Sequence, residues 1–189
     1  MRRGASFSED HHLGEWLLND SKNVHENQLV VDDIFAGLRR HSLTITVDPE
    51  PHLIVLRHLQ HLRRRISAIV GPGVDDSVIL GALQPTAAVA GLPRETAREF
   101  LSAQGITRGR YSGAVGYISQ RESQFCVAIR SAQITHNTVD LFAGAGIVPG
   151  SDPEAEWQEL DNKLTTMRQC LPCPQADEHD DAIAIAGVC

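Results

Sequence analysis

At 189 residues the chain is long enough to bury a sizeable core, and its 42% apolar and 22% charged content is that of an ordinary globular protein. A formal net charge of -7 excludes wholesale binding to nucleic acid, which needs a basic face. No apolar run approaches the length of a membrane span and no apolar segment follows the first arginines, so a cytoplasmic location without a signal peptide is expected. In chain order, residues 9–20 (EDHHLGEWLLND) read as a short amphipathic helix with Leu13, Trp16 and Leu17 on one side. Asn19, Asp20 and Ser21 supply capping chemistry for a second helix, whose Val30, Ile34 and Leu38 fall at helical spacing before a basic end. Residues 42–56 read as loop plus a short strand, and LRHLQHLRRRISAIV fits strand or helix equally.

GPGVDD is a turn, and LPRETAREFLSAQG a helix with Pro93 at its start and Gly105 at its stop. Three strand candidates follow, YSGAVGYIS, QFCVAIRSAQI and TVDLFAGAGIV, separated by QRES and THN at hairpin length. The last helix carries Trp157, Leu160, Leu164, Met167 and Leu171 as a stripe expected to be buried. Ser151 with Glu154 predicts its capping box, with Pro153 in the first turn. The stretch 172–189 is acidic, then rich in small residues, and is read as disordered. Cys170 and Cys173 have redox or zinc spacing, but they close a helix and lack a second pair of ligands; with Cys126 and Cys189 they are read as inert thiols.

Candidate chemistry gathers on borders. Glu156, Glu159 and Lys163 run beside the last apolar stripe, and Glu26 holds the same place on the second helix. These acids are either solvated surface, with Glu159–Lys163 an ordinary helical pair, or two carboxylates that converge on a cation. Arg130 is placed mid-strand on a face of small residues, either an outer face or a pocket floor whose guanidinium fork matches a carboxylate. Gly144 and Gly146 share one strand face, which suits close approach to the backbone. The glycine-bearing piece QPTAAVAGLPRE lies just before a helix and could present amides to an anion, though it does not follow a phosphate-loop pattern.

The runs KNVHENQLVVDDI, LQPTAAVAGLPRE, RGRYSGAVGYIS, FCVAIRSAQI and GAGIVPGSDPEAEWQELDNK occur in one order over residues 12–171. Together they resemble the C-terminal half of the chorismate-utilising enzymes, most of all the isochorismate synthases of menaquinone biosynthesis. The resemblance implies an α+β fold of stacked antiparallel sheets with helices outside, spanning 1–171 as one portion of a chorismate-binding domain, with 172–189 outside it. It implies Mg2+ held through Glu26 and Glu159, with Glu156 behind them, and the small molecule chorismate as the partner. Arg130 and Tyr111 match positions that grip the enolpyruvyl group; Gly144, Gly146 and Lys163 match those around the substrate carboxylates; Ala90 and Gly91 would add amides. Ala88 stands where amine-adding relatives carry threonine, which favours water as nucleophile and isochorismate as product. The family's general base and acid, a lysine and a glutamate, belong to an N-terminal half, so no catalytic residue is expected within these 189. A siderophore-pathway isochorismate synthase and an inactive fragment are the alternatives.

Overall fold

The computed structural model describes residues 3–105, 108–171 and 184–188. They group into two units, Met1–Thr86 and Ala87–Cys189. Both units mix helices with short, mainly antiparallel sheets, so the α+β class holds.

In the first unit α1 (Phe7–Asn19) runs into α2 (Ser21–Leu38) through Asp20. Its carboxylate accepts the Asn23 backbone N–H at 2.9 Å, the N-cap that the sequence predicts. Leu17, Val31 and Leu38 are buried, whereas Trp16 stays 48% exposed. The ambiguous stretch resolves into strands. β1 (Ser42–Val47) pairs antiparallel with β4 (Ile66–Val70), enclosing the hairpin of β2 (His52–Val55) and β3 (Gln60–Arg63). A helix α3 (Asp76–Leu83) follows, capped by Asp75. Gly14 lets α1 lie close to the hairpin, since a Cβ there would stand 2.6 Å from Leu53 and 2.7 Å from Gln60. Gln60 is fully buried and donates to the Asp10 carbonyl at 2.8 Å.

The N-terminal segment is clasped by one carboxylate. Arg3 Nε donates to both Asp10 oxygens, at 2.7 and 2.8 Å, and the Gly4 N–H and Gln60 amide add to it. The Arg3 hydrogen bond, then those from Gly4 and Gln60, hold the Asp10 carboxyl down at about 2. A depressed folded value means the clasp stabilises fully above the unfolded value of about 3.9 and fades as pH falls towards about 2. Asp10→Asn is therefore expected to lower the thermal unfolding midpoint near neutrality, and the gap to the parent should close between about pH 4 and about pH 2. A gap that persists unchanged at the acid end would refute the clasp.

The second unit opens with the single turn α4 (Ala87–Ala90) and α5 (Arg94–Ala103), where Ala97 is buried and Phe100 is 49% exposed. β5 (Ala114–Ile118) and β6 (Ser123–Val127) form one hairpin. β7 (Ser131–Thr135) and β8 (Thr138–Ile147) form another around His136 and Asn137, with His136 at φ +50 as a two-residue turn requires. The single strand expected over QFCVAIRSAQI is thus two strands with different partners. The chain breaks at Ala128–Arg130, and Arg130 sits at φ +51 instead of mid-strand.

Helix α6 (Pro153–Arg168) packs its Leu160 and Leu164 on Ala143 and Ala145 of β8. Its N-cap is Asp152, accepting from the Ala155 N–H at 2.9 Å. The expected capping serine, Ser151, instead accepts the Val148 N–H at 3.1 Å and closes the preceding turn. Trp157 is 55% exposed, and Glu156 takes its place in the buried stripe at 5%. A last strand β9 (Ala184–Val188) pairs parallel with β8, inside the stretch read as disordered, whose residues 172–183 and 189 lie outside the described set. No described helix is long and apolar enough to cross a membrane.

Candidate functional site

The second unit brings most of the sequence candidates to one edge of β8. Alternation along the strand places Phe142, Gly144 and Gly146 on the face opposite the Ala143 and Ala145 core. From α6, Lys163 donates to the Gly144 carbonyl at 2.7 Å and pairs with Glu159 Oε1 at 2.8 Å. Lys163 is largely buried, at 18% side-chain exposure, while Glu159 is 52% exposed. As a stabilising pair this is worth a fraction of a kcal/mol. Its consequence lies in placing a cation against the β8 backbone at Gly144. Glu156 stands one turn earlier, buried in the first turn of α6, where a negative charge favours the helix dipole.

The break between β6 and β7 delivers the arginine. Ser112, at φ +63, donates its N–H to the Ala128 carbonyl, and the Ala128 N–H donates to Gly113, both at 2.8 Å. These bonds tie the start of β5 to the end of β6 and bring Tyr111 beside Arg130. Burial pushes the Arg130 guanidinium down from its usual range, against the charge of Glu159 and then of Tyr111. Burial raises the Tyr111 phenol, against Arg108 and Arg130. Tyr111 stacks on Phe142 with centroids 5.8 Å apart and planes at 25°.

Arg108, which no sequence pattern singled out, lies over the Tyr111 ring: its guanidinium carbon is 5.9 Å from the ring centre. It sits in a loop without periodicity, so only its place in RGRYSG marked it. Phe142 was missed for a plainer reason, as one apolar residue within a strand.

In the turn VAG one of the two expected amides is already committed. The Gly91 N–H is bonded to the Ala87 carbonyl at 2.9 Å, so that amide is already used inside the chain. Gly91, buried at φ +80, ends the turn as a left-handed stop. Ala90 is buried and Ala88 is exposed.

Glu26 belongs to the first unit, on α2, with Lys22 Nζ 3.2 Å from its Oε1. Lys22 and Lys163 are the only lysines of the chain, and each stands four residues from one of the two candidate metal-binding carboxylates. Each carboxylate therefore already accommodates a cation, and oxygen donors suit magnesium, which takes one or two carboxylates and keeps several waters. Among the described residues no cluster of three or more acidic, histidine or cysteine side chains forms a fuller cage.

A family model described as chorismate binding enzyme matches residues 1–172. Isochorismate synthase MenF of Escherichia coli K12 is 52% identical over 160 residues, 84% of this chain and 37% of that protein. The salicylate biosynthesis isochorismate synthase of Pseudomonas aeruginosa PAO1 is 37% identical over 173 residues, 90% of this chain and 36% of that protein. The solved structure of the menaquinone-specific isochorismate synthase MenF from Escherichia coli superposes with a TM-score of 0.81 at 48% identity, over 91% of this chain and 40% of that one. The chain thus spans less than half the length of the relatives it matches.

Proposed function

The chain belongs to the chorismate binding enzyme family, and from that membership we propose that it is the substrate-holding portion of a cytoplasmic, menaquinone-type isochorismate synthase. The reaction is the magnesium-dependent isomerisation of chorismate. Water adds to the ring carbon beside the one bearing the carboxylate, the double bonds shift, and the original hydroxyl departs with a proton as water. The 52% identity to the MenF relative, against 37% for the salicylate-pathway enzyme, favours the menaquinone type over a siderophore type.

One observation supports the reading above the others: Arg130 and Lys163 flank Glu159, and Tyr111 stands beside Arg130, stacked on Phe142 of β8. Two cations beside Glu159 give a dicarboxylate substrate two positively charged partners. Arg130 holds the enolpyruvyl carboxylate by its fork, and the Tyr111 hydroxyl donates beside it. Lys163 keeps a proton-bearing ammonium against the Gly144 carbonyl and offers its remaining donors to the ring carboxylate. Gly144 and Gly146 leave the strand face open to the ring. By the resemblance, Glu26 and Glu159, with Glu156 behind them, would hold magnesium, which would supply a Lewis-acid anchor for that carboxylate. Ala88 has no hydroxyl with which to orient an amine, consistent with water as the nucleophile.

Chorismate binding by the chain, followed by calorimetry with and without magnesium, tests this reading. Binding is expected to strengthen at least about tenfold with the metal, and Glu159→Ala should erase that gain. Affinity indifferent to both magnesium and Glu159 would rule the site out.

A further inference from the structure

Arg108 has no acidic partner among its recorded contacts, although burial pushes its guanidinium down from the usual range. Half-buried arginines are ordinarily matched to a carboxylate. Here the fork is spent on two neutral groups. Nη2 donates to the Val89 carbonyl at 2.6 Å, and the guanidinium lies over the Tyr111 ring. Val89 belongs to α4, whose last carbonyls have no helical partner of their own. The buried Nε makes no hydrogen bond. The loop is wound to allow this reach, because the Tyr111 N–H donates to the Arg108 carbonyl at 2.9 Å and folds the side chain back over the ring three residues on. On its far side Tyr111 stacks on Phe142 of β8.

We propose that Arg108 is a positioning residue that fixes two pieces of the site against each other, the α4 turn bearing Ala88 to Gly91 and the Tyr111 ring. The juxtaposition that carries it is one guanidinium bridging the Val89 carbonyl and the Tyr111 face. Such a tie has a reason to be cationic. A neutral donor reaches the carbonyl but does not attract the ring face, whereas a planar cation does both. It rests on the proposed function only in supposing that Tyr111 and the α4 turn both meet chorismate; the tie itself stands on the contacts. Replacing Arg108 should therefore disturb the turn and the ring together, though they lie 22 residues apart in sequence by the numbers of Val89 and Tyr111.

The test uses the full chain with Tyr117→Phe, which leaves Tyr111 as its only tyrosine. Nuclear magnetic resonance follows the Tyr111 ring and the Ala90 and Gly91 amides, and calorimetry follows chorismate with magnesium. In Arg108→Gln the ring and amide signals are expected to move together. The Tyr111 ionisation midpoint should rise, because a neighbouring cation is gone, and chorismate affinity should fall about tenfold. Arg108→Lys keeps charge and a donor and should give the same joint shift at smaller size. Phe142→Leu should move the ring signal and leave the amides in place. A change in Arg108→Gln confined to the ring, or to the amides, overturns the proposal. Should that variant not fold, Arg108→Lys is read by the same criterion. A parent chain that fails to bind chorismate defeats the proposed function alone, since the joint shift still decides the tie.

Discussion

The isolated chain, given chorismate and magnesium, should yield no isochorismate, and the same chain co-expressed with the N-terminal portion of an isochorismate synthase should yield it. Hydroxyl exchange at the ring needs one group to take a proton from water and another to give one to the departing hydroxyl. Each such group contributes on the order of a hundredfold to ten-thousandfold, so losing both puts turnover below detection. The chain's two lysines are engaged, Lys163 with Glu159 and Gly144, Lys22 with Glu26. The proposed reading takes the lysine base from outside these residues, as the resemblance implies. The strands point the same way. β5 and β6 form a ribbon of two strands whose Val115, Tyr117, Ile118 and Phe125 are all exposed, and β1 and β4 expose Leu43 and Ile69. Two-stranded ribbons with apolar faces are marginal alone and present open edges. The Escherichia coli relative is matched over 37% of its length, so most of that protein has no counterpart among these residues. Chromatography of the reaction decides the matter. Isochorismate formed by the isolated chain, and lost in Glu159→Ala, would place base and acid within these 189 residues and refute the split. In the complemented enzyme the same substitution should abolish turnover.

How much of this was legible beforehand follows from where each signal resides. Helices α1, α2, α5 and α6 announced themselves by period and caps: Asp20, Pro153 and the Leu160–Leu164 stripe sit where spacing put them. Yet Trp157 and Glu156 exchanged roles, because a stripe at three-four spacing fixes a face only to within one residue and the neighbouring β8 decided which side was covered. Residues 56–70 defeated periodicity because short strands and helix segments look alike in so brief an apolar run. The glutamates and Lys163 were readable from their placement at the border of the stripe. Arg108 was not, since its partner is a backbone carbonyl in another element and a carbonyl carries no sequence signature. Nor could residue types show that the Gly91 amide is consumed by Ala87.

Arg130 shows how that limit alters an expected result. Placed mid-strand, as the alternation in QFCVAIRSAQI suggested, its replacement by glycine would be worse for stability than its replacement by alanine, by about 0.5–1 kcal/mol. At φ +51 the order inverts, because a Cβ in the left-handed region costs about 1–2 kcal/mol that glycine avoids. Arg130→Gly is therefore expected to unfold at higher urea concentration than Arg130→Ala; the reverse order would restore the strand and remove the break that aims the side chain. Binding should respond to a different feature. Arg130→Lys retains the charge beside Glu159 and Tyr111 but loses the two-pronged fork. Chorismate affinity should fall by about tenfold to a hundredfold, the worth of a charge-assisted hydrogen bond, with the unfolding midpoint little changed. The alanine and glycine variants, which also lose the charge, should bind still more weakly and equally so, despite their difference in stability. If Arg130→Lys binds like the parent, a point charge suffices there and the guanidinium does not grip a carboxylate. If glycine and alanine differ in binding as they do in stability, then Arg130 acts through the backbone turn and not through its side chain.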